Sequence, residues 1–179
     1  MDELIEYGKK LTDGRRSGLT AAGNTEEIAW THWGLQGMMG HLPISDDWSE
    51  ATINNDEYNQ LLTFWNELYE EGIFPKQAPA GYTEIQPLAE GRTAMAINGS
   101  WAINGLRTDY PELLEEIGVA PLPTPDGNQD RTTASLGGWT LTVDGNSDHP
   151  AEAAQFIEWL LAGDPEIMID FFQKCYSVF

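Results

Sequence analysis

Cysteine is almost absent from this 179-residue chain, and Cys175 on its own cannot close an internal disulfide. Basic residues are scarce as well, nine Lys and Arg against 29 Asp and Glu, which leaves a formal net charge of −20. Binding to a phosphate backbone requires a basic patch that displaces counterions, so nucleic acid is excluded as a partner. Two explanations of the acidic excess stay open, a high-salt source and a surface kept soluble by its charge. No apolar run approaches the roughly 18 residues that a helical membrane span requires, so the chain is not itself membrane-spanning.

Chemistry-bearing motifs are missing too. His32, His41 and His149 lie at no metal-ligand spacing, and the chain contains no Cys pair, HExxH, GxSxG or GxxxxGK[ST]. Metal and nucleophilic catalysis therefore find no support, and neither a cofactor nor a metal is expected. The acidic pairs Asp46-Asp47, Glu70-Glu71 and Glu115-Glu116 read as solvated surface. A glycosidase-like carboxylate pair stays open as an alternative, because geometry and not sequence defines it. The opening MDELIEYGKK lacks the charged-then-apolar pattern of a secretory signal. Either the protein is cytoplasmic or an upstream portion is missing.

What is present is the composition of an ordinary soluble globular protein, with 41% hydrophobic and 21% charged residues. Its length suits one domain or slightly more, without room for two complete lobes. Leu4, Tyr7 and Leu11 fall at helical spacing from Asp2 to Thr12, and a short strand follows at Ser17 to Ala21. Thr25 is positioned to cap a helix through Trp30 and Trp33 to Met39. Asn54-Asn55-Asp56 caps the clearest helix, where Tyr58, Leu61, Leu62, Trp65, Leu68 and Tyr69 recur at three- and four-residue steps until Gly72. That stripe makes Trp65 a packing residue.

Farther on, Thr83 and Gln86 form a capping-box pattern for a short helix ending at Gly91. Thr93 to Ile97 reads as a buried strand that stops at Asn98-Gly99, after which Trp101 opens a helix to Leu106. Pro111 starts a turn of helix over Glu112 to Glu116, and Ile117 to Leu122 reads as a second buried strand. The polar connector Thr124 to Thr132 leads to Ser135-Leu136-Gly137-Gly138-Trp139 and a third strand, Thr140 to Val143. Pro150 starts a helix with Ala153, Ala154, Ile157, Leu160 and Leu161 on its apolar face, and Glu166 to Gln173 is the last one. Helices alternating with short buried strands indicate an α/β architecture with a small or incomplete sheet.

Four tryptophans fall outside helix-core stripes: Trp30, Trp33, Trp101 and Trp139. Indoles on turns and element ends are candidates for a stacking platform, since each offers a flat apolar face and one N–H donor. A pyranose suits such a platform, because it has an apolar C–H face and a rim of hydroxyls. Asn98, Ser100 and the backbone at Gly137 and Gly138 would supply partners for that rim. A buried hydroxyl left without a partner is costly, which is how the site would choose among sugars.

Four segments in order, EGRTAMAINGSWAING, IGVAPLPTPDG, SLGGWTLTV and HPAEAAQFIEWLLAGDPE, resemble the extracellular solute-binding proteins that serve ABC transporters for sugars, the group that includes maltose-binding protein. The opening DELIEYGKKLTD is similar to the family's segment just after its first domain crossing. The resemblance implies a type II periplasmic-binding-protein-like fold, with this chain a fragment of a protein about twice its length. Residues 1–122 would belong to the second lobe, 123–132 to the hinge, 133–162 to a strand and helix returning to the first lobe, and 163–179 to a crossing back. It also implies the site: Trp101 as stacking aromatic, Trp30 and Tyr82 as further aromatic positions, and Gly137, Gly138 and Trp139 as the first-lobe loop facing the cleft. A protein of this kind, a monomer, captures a sugar or oligosaccharide outside the cell by hinge closure and hands it to a membrane permease, without chemistry. Its full-length form would be an extracellular or periplasmic protein anchored as a lipoprotein. A same-fold binder of a non-sugar solute is the remaining alternative.

Overall fold

The computed structural model describes residues 1–21, 28–40, 42–77, 79, 85–131, 134, 135, 137 and 140–175, with the side chains of 28–30 and 175 left undescribed. Contacts divide the chain into two compact units, Met1–Ser135 and Leu136–Phe179.

In the first unit, helix α1 (Asp2–Leu11) carries acids in its first turn and Lys9 and Lys10 in its last, complementing the helix dipole. Its Gly8 meets strand β1 (Ser17–Ala21) at unusually short range: a Cβ added to Gly18 would lie 2.2 Å from the Gly8 carbonyl oxygen. Only a residue without a side chain lets strand and helix approach so closely. Strand β1 pairs in parallel with β2 (Thr93–Ile97), in a register that sets Ser17 beside Thr93 and Ala21 beside Ile97.

Between the strands come helices α2 (Ile28–Met38), α3 (Asp56–Glu70) and α4 (Gln86–Ala89). Thr25, the expected cap of α2, lies outside the described residues. Its other end turns at Gly40, whose φ of 92° a side chain would strain. Helix α3 begins as the sequence indicates, with the Asn55 side chain accepting from the Tyr58 N–H at 2.8 Å. Its buried stripe is Leu61, Phe64, Trp65 and Leu68, whereas Leu62 is half exposed. These side chains join Leu19, Leu35, Met38, Ile73 and Phe74 in the main core. Trp65 lies within it, edge-on to Phe74 at 5.9 Å.

Helix α4 differs from the expected capping box. Thr83 is outside the described residues, and Gln86 is the first helical residue behind an Ile85 that gives no side-chain cap. The Gln86 amide donates instead to Glu90 at 2.6 Å. Helix α5 (Trp101–Asp109) follows β2 and rests on a second, smaller core of Ile85, Ala102 and Leu106. Pro111 starts a 3₁₀ turn through Leu113.

Among the described residues two expected strands are not formed. Ile117 to Leu122 belongs to no strand; its ends, Ile117 and Leu122, rest against the two cores, while Val119 between them is 88% exposed. Thr140 to Val143 is likewise in no strand and mainly exposed. A β-strand is defined by its neighbour's hydrogen bonds, and among the described residues β1 and β2 form the one ladder, beside an isolated bridge between Ile44 and Ala51.

The connector then follows α2 back toward its start. Thr124 is fully buried, and Arg131 donates to the Met38 carbonyl at 2.9 Å and to Asp126 at 2.9 Å. At Gly34 the Ser135 backbone comes so close that a Cβ would lie 3.3 Å from its nitrogen.

The second unit contains α6 (Pro150–Ala162) and α7 (Pro165–Cys175), which pack on each other. Of the expected apolar face of α6, Ala153, Ile157 and Leu160 are half-buried and Ala154 and Leu161 exposed.

Candidate functional site

The parallel register brings the carboxyl ends of β1 and β2 side by side, at Ala21 and Ile97. In open α/β sheets this edge is where ligands dock, because the loops leaving it lead into helix N-termini. Each strand here is followed by a helix bearing one of the predicted tryptophans. Trp30 lies in the first turn of α2, and Trp101 is the first residue of α5.

Around Trp101 the geometry is specific. Asn98, half-buried, turns its Oδ1 back to accept from the Gly99 N–H at 2.8 Å, which ends the strand. Gly99 and Ser100 then bend the chain, their carbonyls accepting from Ala102 and Ile103 at 3.0 and 3.2 Å. The six-membered half of the Trp101 indole lies directly over Gly99. A Cβ at that position would come within 2.1 Å of Cζ3 and 2.2 Å of Cη2. Trp101 is half-buried, with its Nε1 inside.

Gly99 is therefore a seat for the ring as well as a turn residue. The sequence carries only a faint sign of this, a glycine two positions before the tryptophan, because a side chain's direction depends on χ angles that spacing does not encode. Ser100, expected as a rim donor, is exposed at the head of α5 and makes no capping bond to the helix.

The remaining predicted residues are placed less completely. For Trp30 the backbone is helical and the side chain is outside the described residues, as are Tyr82, Gly138 and Trp139 entirely. Gly137 is exposed, in no helix or strand, and belongs to the second unit. A groove of about 630 Å³ lined by Gly40, Leu42, Ile44, Asp46 and Asn55 contains none of the predicted residues.

Among the described residues, the carboxylates whose pKa departs from its ordinary value do not favour the carboxylate-pair alternative. A general acid needs a carboxyl pKa raised by burial or a like charge. Glu6, Asp13, Asp47, Glu90 and Asp126 are all shifted downward, chiefly by hydrogen bonds they accept, and all are exposed. Among the described residues no group of three or more His, Cys, Asp and Glu is arranged to hold a metal, and no helix is long and apolar enough to cross a membrane.

Known proteins resemble this chain in sequence and fold. Residues 1–163 match the family model of the bacterial extracellular solute-binding proteins. A probable ABC transporter-binding protein of Deinococcus radiodurans is 30% identical over 167 residues, covering 89% of this chain and 38% of that protein. An ABC transporter solute-binding protein of Thermotoga lettingae, solved with α-D-tagatose, superposes with a TM-score of 0.77 at 25% identity, over 97% of this chain and 44% of its own. One from Agrobacterium radiobacter, solved with ribitol, gives 0.75 at 22% identity, over 99% and 45%. The sugar-binding protein MalE of Xanthomonas citri gives 0.68 at 19%, over 93% and 40%. The chain thus spans less than half the length of these relatives, and its fold is the α/β, type II periplasmic-binding-protein-like one. With a family model covering all but its last residues, this chain belongs to the bacterial extracellular solute-binding protein family.

Proposed function

We propose that the protein is the substrate-binding component of an ABC transporter, taking up a sugar, oligosaccharide or polyol and delivering it to membrane permease subunits without chemical change. The observation that carries this reading is the Trp101 indole, seated on Gly99 at the carboxyl end of β2 and beside that of β1. An indole face held at such an edge suits the C–H face of a sugar, and Trp30 at the head of α2 supplies a second aromatic position. Asn98 and Ser100, and by resemblance to the family Tyr82, Gly137, Gly138 and Trp139, are further residues of the proposed site. The bound solutes of two structural relatives, a ketohexose and a pentitol, support the ligand class.

In this reading residues 1–122 belong to the second lobe, 123–132 to the hinge, 133–162 to the first lobe, and 163–179 to a crossing back. The division of contacts between Ser135 and Leu136 supports a change of lobe in that region. Closure of the lobes selects the liganded form, since only the closed state contacts the solute from both sides. The family's extracellular role supports a periplasmic or cell-surface location; a lipid anchor on the full-length protein is part of the same proposal. A monomer suffices for this work.

Titrating the full-length protein with D-tagatose, ribitol, maltose and longer oligosaccharides, followed by tryptophan fluorescence, tests the reading. A saturable response to at least one is expected. A flat response across the panel would overturn it in favour of a non-sugar solute.

A further inference from the structure

His32 has no place in the site above, yet it occupies the joint between α2 and α3. The Trp65 indole N–H donates to His32 Nδ1 at 3.1 Å. Because an indole nitrogen is only a donor, Nδ1 must present a lone pair, and the imidazole proton therefore sits on Nε2. Nε2 lies 3.4 Å from the Tyr58 hydroxyl, whose ring meets the imidazole edge-on at 5.9 Å. One turn along α2, the Gln36 amide donates to the same hydroxyl. Trp65 and Gln36 are 8% and 4% exposed while His32 and Tyr58 are half-buried, so this chain of bonds is partly shielded from water.

Protonating the imidazole places an N–H on both ring nitrogens. Nδ1–H then faces the Trp65 N–H, donor against donor, and a buried donor without an acceptor costs more than the bond was worth. Burial holds the His32 pKa below its ordinary value, and no charged group among the described residues contributes. The titratable group facing it from α3 is Tyr58, whose phenol burial holds above its ordinary value and which stays neutral throughout the acid range.

From this geometry we infer that His32 is a positioning residue: neutral, it locks α2 onto α3 and holds Trp30, two residues earlier on the same helix, in its ligand-competent place; protonated, it releases both. The role assigned to Trp30 rests on the proposed function, whereas the lock does not. Its sign follows from linkage. The folded state disfavours the proton, so the stabilisation is complete above the unfolded imidazole's value near 6.5. It is lost as the pH falls from there through the lowered folded value, then levels off.

The test uses the full-length protein with two variants. His32→Asn keeps an acceptor near the position of Nδ1 and cannot become charged; His32→Leu has no acceptor at any pH. Melting temperature is measured from pH 7.5 to 5, alongside the indole N–H resonances of Trp65 and Trp30, assigned from Trp65→Phe and Trp30→Phe. The wild type should lose several degrees more than His32→Asn across this range, and His32→Leu should melt low throughout. The Trp65 and Trp30 signals should shift with one midpoint below 6.5, and in His32→Asn neither should. Parallel melting profiles for wild type and His32→Asn would overturn the lock. A Trp30 signal that stays still while Trp65 moves would overturn the positioning role. Failure of D-tagatose, ribitol and maltose to bind, with these signals as expected, would count against the sugar reading alone.

Discussion

Replacing Gly99 by alanine probes the site without touching the ring that is proposed to stack. The new methyl group would sit 2.1 Å from Trp101 Cζ3, whereas carbon atoms attract best at about 3.5–4.0 Å. The indole must therefore retreat by roughly 1.5 Å, well beyond the ~0.5 Å within which a binding constellation has to be held. Stacking on an aromatic ring is worth about 1–3 kcal/mol on truncation. A displaced ring keeps part of its contact, so the expected loss is about 1–2 kcal/mol, a weakening of roughly 5- to 30-fold. The backbone of Gly99 is outside the left-handed region, so alanine is not strained there. The group in the way is a side chain, which can turn about its χ angles as a backbone atom cannot. Global stability should then change by less than about 1 kcal/mol. Calorimetric titration with the best-bound of D-tagatose, ribitol and maltose, paired with urea denaturation, separates the two effects. Wild-type affinity in Gly99→Ala would refute the seat, and a collapse of stability would show that Gly99 serves the fold instead of the ring.

Other positions carry their own expectations. Asn55→Ala removes the side chain that accepts from the Tyr58 N–H and should cost about 1 kcal/mol in urea denaturation, with Asn55→Asp restoring most of it. Trp48 holds a φ of 62° while 80% exposed, in the turn where its N–H donates to the Ser45 carbonyl at 2.9 Å. Trp48→Gly should therefore raise the unfolding midpoint, by about 0.5–1 kcal/mol in free energy, and a lowered midpoint would show that the indole contributes contacts. Gly18→Ala forces a methyl group against the Gly8 carbonyl, a backbone atom that cannot rotate away, so a loss of about 1–3 kcal/mol or more is expected in thermal melts.

Local chemistry made much of the fold legible. Asn55 announces α3 because a cap acts within three residues, and the apolar spacing of α3 identifies Leu61, Trp65 and Leu68 because helical period alone puts them on one face. Strand β2 was legible from a short apolar run closed by Asn98-Gly99. Thr93 to Ile97 and Ile117 to Leu122 look alike in sequence, yet among the described residues the first of the two is the one that pairs with β1.

For the site, spacing identified Trp101 as an indole at a strand end but left its ring direction open; Gly99 beneath the ring emerged from packing. His32 was invisible for a similar reason, because its partners lie 26 and 33 residues away at Tyr58 and Trp65, and sequence carries no sign of a contact at that separation. By itself the sequence determined the helices, the Asn55 cap of α3, the acidic balance and the ordered segments that resemble the family. Tertiary structure alone decided which apolar runs became strands, where an indole lies, and which histidine accepts from a distant indole. Each of those depends on a group brought close only when distant parts of the chain pack together.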